Sequence, residues 1–212
     1  MAKTFSQLKQ AILDWLDSDN VRLPTAIRGD IINIVMRRVC RLHDLSYNEA
    51  SDDFDTVADQ RGYAVPATWS RPHTLWYLDT ETNAVVYLEY KSKQKFDVLF
   101  PDQTKTGKPS HYTVWGSEIQ LGKTPDRIIT INRNYYEILD DLVDTTNESN
   151  AFTTNAWEVL LFLSLVEATE FGIEDARVPL WQSKADTMLR ELTIEHGRAR
   201  SVGAAAVSEE PG

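Results

Sequence analysis

The chain has 212 residues, enough for one large domain or two small ones. Its net charge of −10, from 22 basic and 32 acidic residues, argues against a dedicated binder of nucleic-acid backbones. The same surplus does not exclude a protein that surrounds DNA without gripping it, because an acidic lining would repel phosphate. A single cysteine, Cys40, excludes an intramolecular disulfide framework and fits a reducing compartment.

The first residues, MAKTFSQLKQ, have no apolar h-region, so no secretory signal is expected. Thr4-Phe5-Ser6-Gln7 has the form of a capping box, and Phe5, Leu8, Ile12, Trp15 and Leu16 follow at helical spacing. A helix is predicted over residues 5–17. Pro24 opens a second helix running to about Leu45, with Ile27, Ile31, Ile34, Val35, Val39 and Leu42 on its apolar face. Arg28, Arg37, Arg38 and Arg41 lie on its polar face.

From Ser46 the texture changes to short aromatic and β-branched runs between turns. Strands are predicted at Phe54–Val57, Thr74–Leu78, Val85–Tyr90, His111–Trp115, Glu118–Leu121 and Arg127–Arg133, with a short helix over Ser92–Leu99. Connections this short imply antiparallel pairing. Tyr135 to Val143 reads as a short helix or turn, and Glu137 to Asn150 is acidic.

The stretch Asn155–Gly172 is apolar nearly all round and is predicted as a central helix buried on several sides. Its length and carboxylates do not suit a membrane span. A last helix carries Val178, Trp181, Ala185, Met188 and Leu192 and is expected to fray near His196-Gly197. The fold class is therefore α+β, a bundle of four main helices with a small antiparallel β-rich insertion. The bundle takes residues 1–45 and 134–200, the insertion 46–133, and an extended tail 201–212.

The residues offer little chemistry. Gly122-Lys123-Thr124 lacks the upstream glycine spacing of a phosphate-binding loop, and a strand rather than a helix follows, so it reads as a β-turn ending at Pro125. His43, His73, His111 and His196 form no helical metal pair. Asp140, Asp141 and Asp144 lack the spacing of a calcium loop and read as a solvated, DNA-avoiding face. Cys40 has no acid–base partner indicated. Trp15, Trp157 and Trp181 are assigned to the core; Trp69, Trp76 and Trp115 are read as core filling, with a binding platform as the alternative. No catalytic residue, metal or cofactor is expected.

The order of elements, with certain residues, resembles the head-to-tail adaptor proteins of short-tailed bacteriophages. The features are the two N-terminal helices, FDTVADQRGYAVP, KFDVLFP, and the run Gly107 to Gly116 (GKPSHYTVWG). Strand Ile128 to Ile131, the pair Tyr135-Tyr136, the acidic loop, the central helix and a final helix ending in Arg198-x-Arg200 complete them. The resemblance covers about residues 5 to 201.

The resemblance implies a non-enzymatic, twelve-fold ring in the virion, assembled in the host cytoplasm, with no membrane involved. Its partners would be the portal protein, a tail tube or nozzle protein, further copies of itself, and double-stranded DNA passing without sequence-specific binding. On that basis Arg198, Arg200, Ser201, Val202, Gly203, Ala204, Ala205, Ala206 and Val207 are the candidate portal-binding segment. Lys105, Lys108 and His111 are candidates for ring or tail contact. Two other readings stand beside it: a cell-wall glycan hydrolase using Glu118 and Asp126, and a glycan-binding module using Trp69, Trp76 or Trp115.

Overall fold

The Thr4 hydroxyl accepts from the Gln7 amide (3.3 Å) and the Gln7 side chain accepts from the Thr4 amide (3.0 Å), which starts α1 (Phe5–Leu16). This capping box is seen in a computed structural model that describes residues 2–19, 21–171 and 175–207, with backbone alone from 198 to 207. The chain divides into two compact units, Met1–Asn48 with Ile138–Gly212, and Glu49–Glu137.

The first unit is helical. α2 (Thr25–Leu42) follows Pro24. α4 (Ala151–Asn155) and α5 (Trp157–Ala168) come after the second unit, and α6 spans Val178–Val207. α5 is the centre, with Val159 through Leu165 and Ala168 all buried. α1, α2, α4 and α6 all pack on it. The core adds Leu8, Ile12, Ile31, Val35, Phe152, Trp181 and Ala185. α1 and α2 approach closely at Gly29, where a Cβ would sit 3.1 Å from the Phe5 ring.

Several polar side chains inside this unit are paired. Asn33 exchanges two hydrogen bonds with the backbone of Leu142, at 2.9 and 3.1 Å. That pins the loop before α4, whose Asn150 caps the helix by accepting from the Phe152 and Thr153 amides.

The second unit is a seven-stranded sheet. Its strands are β1 (Glu49–Asp55), β2 (Gly62–Ala64), β3 (Trp69–Asp79), β4 (Ala84–Tyr90), β5 (His111–Trp115), β6 (Glu118–Gly122) and β7 (Thr130–Glu137). The order is β1-β7-β3-β4-β5-β6-β2. The sheet curls, for Arg133 on β7 donates to the Ala64 carbonyl (2.9 Å) on β2, at the far end of the order. Leu75, Tyr77, Leu88, Tyr112, Ile119, Leu121 and Ile131 fill the inside. α3 (Lys93–Leu99) anchors through buried Phe96.

The expected four-helix bundle with a small antiparallel insertion does not form. Among the described residues there are six α-helices and one curled mixed sheet. Three physical reasons account for the difference. Residues 91–110, including α3, connect β4 to β5 and are long enough for a crossover, so that pair is parallel (Glu89 opposite His111, Tyr90 opposite Tyr112). Tyr135-Tyr136, read as helix or turn, instead extends β7, which pairs with both β1 and β3. Only the end of β1 falls in the strand expected at Phe54–Val57; residues 49–53 are too polar to show as a strand because β1 is an end strand, where acidic side chains are tolerated and discourage further pairing. Residues 138–150 form no helix, and the last helix does not stop at Gly197.

Candidate functional site

Alternation along the strands gives the sheet two chemically different faces. Leu75 and Tyr77 of β3 point inside; Trp76 and Leu78 point out. On β4, Tyr87 lies directly opposite Trp76, and Val85 opposite Leu78. Tyr87 is 68% exposed, Leu78 46% and Val85 50%, while Trp76 is half-buried. Four large apolar side chains therefore adjoin on the outer face. Ile128, also exposed, extends the group: with Leu78, Thr130 and Asn132 it lines an open cleft of about 340 Å³.

The same face turns acidic toward β1. Asn132 and Thr130 of β7 stand next to Trp76 and Leu78, and beyond them Asp53 and Asp55 of β1 are exposed. The Asp55 carboxylate accepts from the Thr130 hydroxyl at 2.7 Å.

The turn after β3 carries a charge network. Lys108 donates to both oxygens of Asp79 at 2.8 Å and to Glu81 at 2.8 Å; Arg127 donates to Glu81 at 2.6 Å and to Asp126 at 3.0 Å. The Lys108 ammonium holds the Asp79 and Glu81 carboxyls below the usual range, with Arg127 adding to the effect on Glu81. Both carboxylates in turn hold Lys108 above its ordinary value.

The three candidates for ring or tail contact do not converge. Lys108 belongs to the network beside the first cleft. Lys105 lines a different cleft, of about 520 Å³, with Leu99, Phe100, Pro101 and Lys123. His111 is held between Glu89 (3.3 Å) and Ser110 (2.8 Å) on β5.

The candidate portal-binding segment lies on α6. From Arg198 to Val207 the backbone is helical, so the part of the tail from 201 to 207 continues the helix; its side chains, and residues 208–212, lie outside the described residues. The last described anchor is His196, buried, whose Nδ1 accepts from the Ser46 amide at 3.0 Å and whose ring meets Tyr47 edge-on at 4.6 Å. At Gly197, one residue on, nothing lies within 4 Å of where a Cβ would be.

Other sequence candidates fall elsewhere. Asp141 pairs with Arg37 (3.0 Å) and Asp144 with Lys9 (2.6 Å), so two of the three acids serve the helical unit's own packing rather than a free acidic face. Among the described residues no group of three His, Cys, Asp or Glu is placed to hold a metal ion. Thr124 is buried and bridges to Thr106, with its hydroxyl on the Gln103 carbonyl (2.9 Å). Trp181 is core; Trp15 is 39% exposed, stacking edge-on against Phe162, and Trp115 is exposed. Of the outer apolar group, Trp76 alone is singled out in the sequence, as core filling with a binding platform as the alternative, although the alternation through LWYL and VVYL carries the whole group.

Exposed apolar side chains gathered on a sheet face, next to a turn whose charges are paired with one another, are features of a structural, docking protein. Comparison with known proteins places the chain within that class. It belongs to the SU10 adaptor protein family, whose model matches residues 3–208, and is a bacteriophage adaptor, a virion component that contacts other virion proteins. No curated protein matches the chain. No helix among the described residues is long and apolar enough to cross a membrane.

Proposed function

We propose that this chain is a head-to-tail adaptor that forms a ring, twelve-fold, between the portal and a tail tube or nozzle protein. Double-stranded DNA passes through the ring without sequence-specific binding, and assembly takes place in the host cytoplasm. The observation that carries the reading is the continuation of α6 past its last described anchor, His196, to Val207. Eleven residues from 197 to 207 extend the helix by about 16 Å.

The segment Arg198 to Val207 is the portal-binding arm. As a helix it suits a groove between helices better than addition to a strand. Gly203 and Ala204 to Ala206 permit close backbone approach, and Arg198 and Arg200 supply ion pairs that set register. The net charge of −10 keeps DNA from adhering as it passes.

The test is assembly on purified portal, followed by electron microscopy and mass measurement. The full chain should form a ring on portal, and a chain lacking residues 198–212 should stay folded and fail to dock. Docking by the truncated chain would remove the arm from the reading. A full chain that never assembles on portal would overturn the adaptor ring itself.

A further inference from the structure

The outer face of the sheet has an apolar group on β3 and β4 and an acidic row on β1, separated by β7. From β4 to β1 is three strand spacings, about 14 Å. Cross-strand pairing of Trp76 with Tyr87 and Leu78 with Val85 makes the apolar part continuous, and Ile128 enlarges it. So many large apolar side chains left together on one face call for a partner.

The charge beside them says which kind. Among the described residues Asp53 is exposed and makes no ion pair, and Asp55 is bound only to a neutral hydroxyl. A matching surface must carry apolar and basic side chains together. The chain has one on α2. Ile34, Arg38, Arg41 and Leu42 stand at i, i+4, i+7 and i+8, and all four are exposed. These positions share one side of a helix. Ile34 to Leu42 spans about 12 Å along the helix axis, so a helix lying along β3 and β4 can set both over the apolar group with its arginines turned toward β1. Arg38 holds Glu167 at 3.1 Å in a surface pair that costs little to exchange.

We propose that α2 of one copy docks on the outer sheet face of the next. Ile34 and Leu42 bury the apolar group of β3 and β4, and Arg38 and Arg41 meet Asp53 and Asp55. The two surfaces differ, so the contact is heterologous and propagates from copy to copy, closing into a ring if the rotation allows. The proposal rests on the ring assembly proposed above and names the surfaces that build it.

The test uses the full chain assembled on portal. Leu42→Cys and Tyr87→Cys are introduced together; both sites are exposed, and the native Cys40 is buried. Mild oxidation of assembled rings should give a ladder of covalent oligomers on a non-reducing gel, and each single variant should give none. Rings without a ladder would overturn the docking surfaces and leave the ring intact. Absence of any ring from the wild-type chain would overturn the assembly reading and this proposal with it. An independent arm uses charge: Arg41→Glu should weaken assembly about ten-fold or more, and Asp53→Lys in the same chain should recover most of the loss. Failure of the second change to rescue the first would remove the arginine–aspartate contact.

Discussion

The guanidinium of Arg133 lies against the carboxylate of Asp52 inside the curled sheet, with Nη2 2.8 Å from Oδ2 and Nε donating to the other oxygen. Its remaining donor, Nη1, reaches the Ala64 carbonyl, and its plane sits 5.0 Å over the Phe54 ring. One side chain thus joins β7 to its neighbour β1 and to β2 at the other end of the strand order. Removing one partner of a buried pair leaves the other charge uncompensated, at a cost of roughly 3–5 kcal/mol when both are fully buried. Asp52 is partly exposed, so Asp52→Asn should cost the sheet unit about 1–3 kcal/mol in urea denaturation. A loss below about 0.5 kcal/mol would show that the pair contributes no more than a surface contact.

Lys108 with Asp79 and Glu81 predicts an acid limb of stability. Both carboxyls titrate below their ordinary values in the folded chain, first because Lys108 donates to them. Depressed carboxyls stabilise the fold above their unfolded pKa values and lose that contribution as pH falls through the folded ones. The melting temperature should therefore fall as pH is lowered from neutral into the carboxylate range. Lys108→Met should flatten that dependence. An unchanged acid profile in Lys108→Met would assign the acid limb to other groups.

Tyr112 supplies the alkaline counterpart. Burial, then the nearby Tyr90, pushes its hydroxyl up to about 12. A folded pKa raised from 10 means the contribution is complete below 10 and disappears as pH rises through 12. Burial also raises Tyr47, Tyr63, Tyr77 and Tyr135, so ultraviolet titration should show several tyrosines ionising late, with a component near 12 that is absent from Tyr112→Phe. If every tyrosine of the wild-type chain ionised together near 10, the buried placement of this ring would be wrong.

α5 predicts where the helical unit fails. Leu160 is fully buried among helices, so Leu160→Ala should cost about 2–5 kcal/mol. Leu161→Asp places a charge in the same core and should abolish the unit's cooperative melt by circular dichroism. Retention of a wild-type melt by Leu161→Asp would contradict the central position of this helix.

Gly122 tests the contact between α3 and the sheet. A Cβ there would lie 2.5 Å from the Phe100 ring. Gly122→Ala should destabilise the sheet unit by about 1–3 kcal/mol through overpacking, and Phe100→Leu in the same chain should return part of it. Equal melting of wild type and Gly122→Ala would mean that the ring moves aside freely.

The helices were the most legible part of the chain. Thr4 and Gln7 announce the start of α1, and the unbroken apolar run of α5 announces burial on all sides, because both signals are local. The end of α6 misled for a local reason too: Gly197 costs a helix only about 1 kcal/mol, which does not force a stop. α4 escaped notice because five residues carry too little period, although its Asn150-Thr153 cap was there to read.

The candidate site was less legible. Alternation in β3 and β4 separates Trp76 and Leu78 from Leu75 and Tyr77, but not which set faces water. Asp141 and Asp144 read as a repelling face because their partners, Arg37 and Lys9, stand more than a hundred residues away.

Taken alone, the sequence determined the acid surplus, the apolar faces of the main helices, the β3–β4 hairpin, and an order of motifs that resembles an adaptor family. These follow from composition and from neighbours within a few residues. The tertiary structure alone decided that β4 and β5 run parallel, that polar β1 completes the sheet beside β7, and that Arg133 finds Asp52 within it. It also decided that Trp76, Leu78, Val85 and Tyr87 gather on the outer face. Strand partners and the side turned to solvent depend on contacts between distant segments, and local periodicity carries no record of which segment arrives.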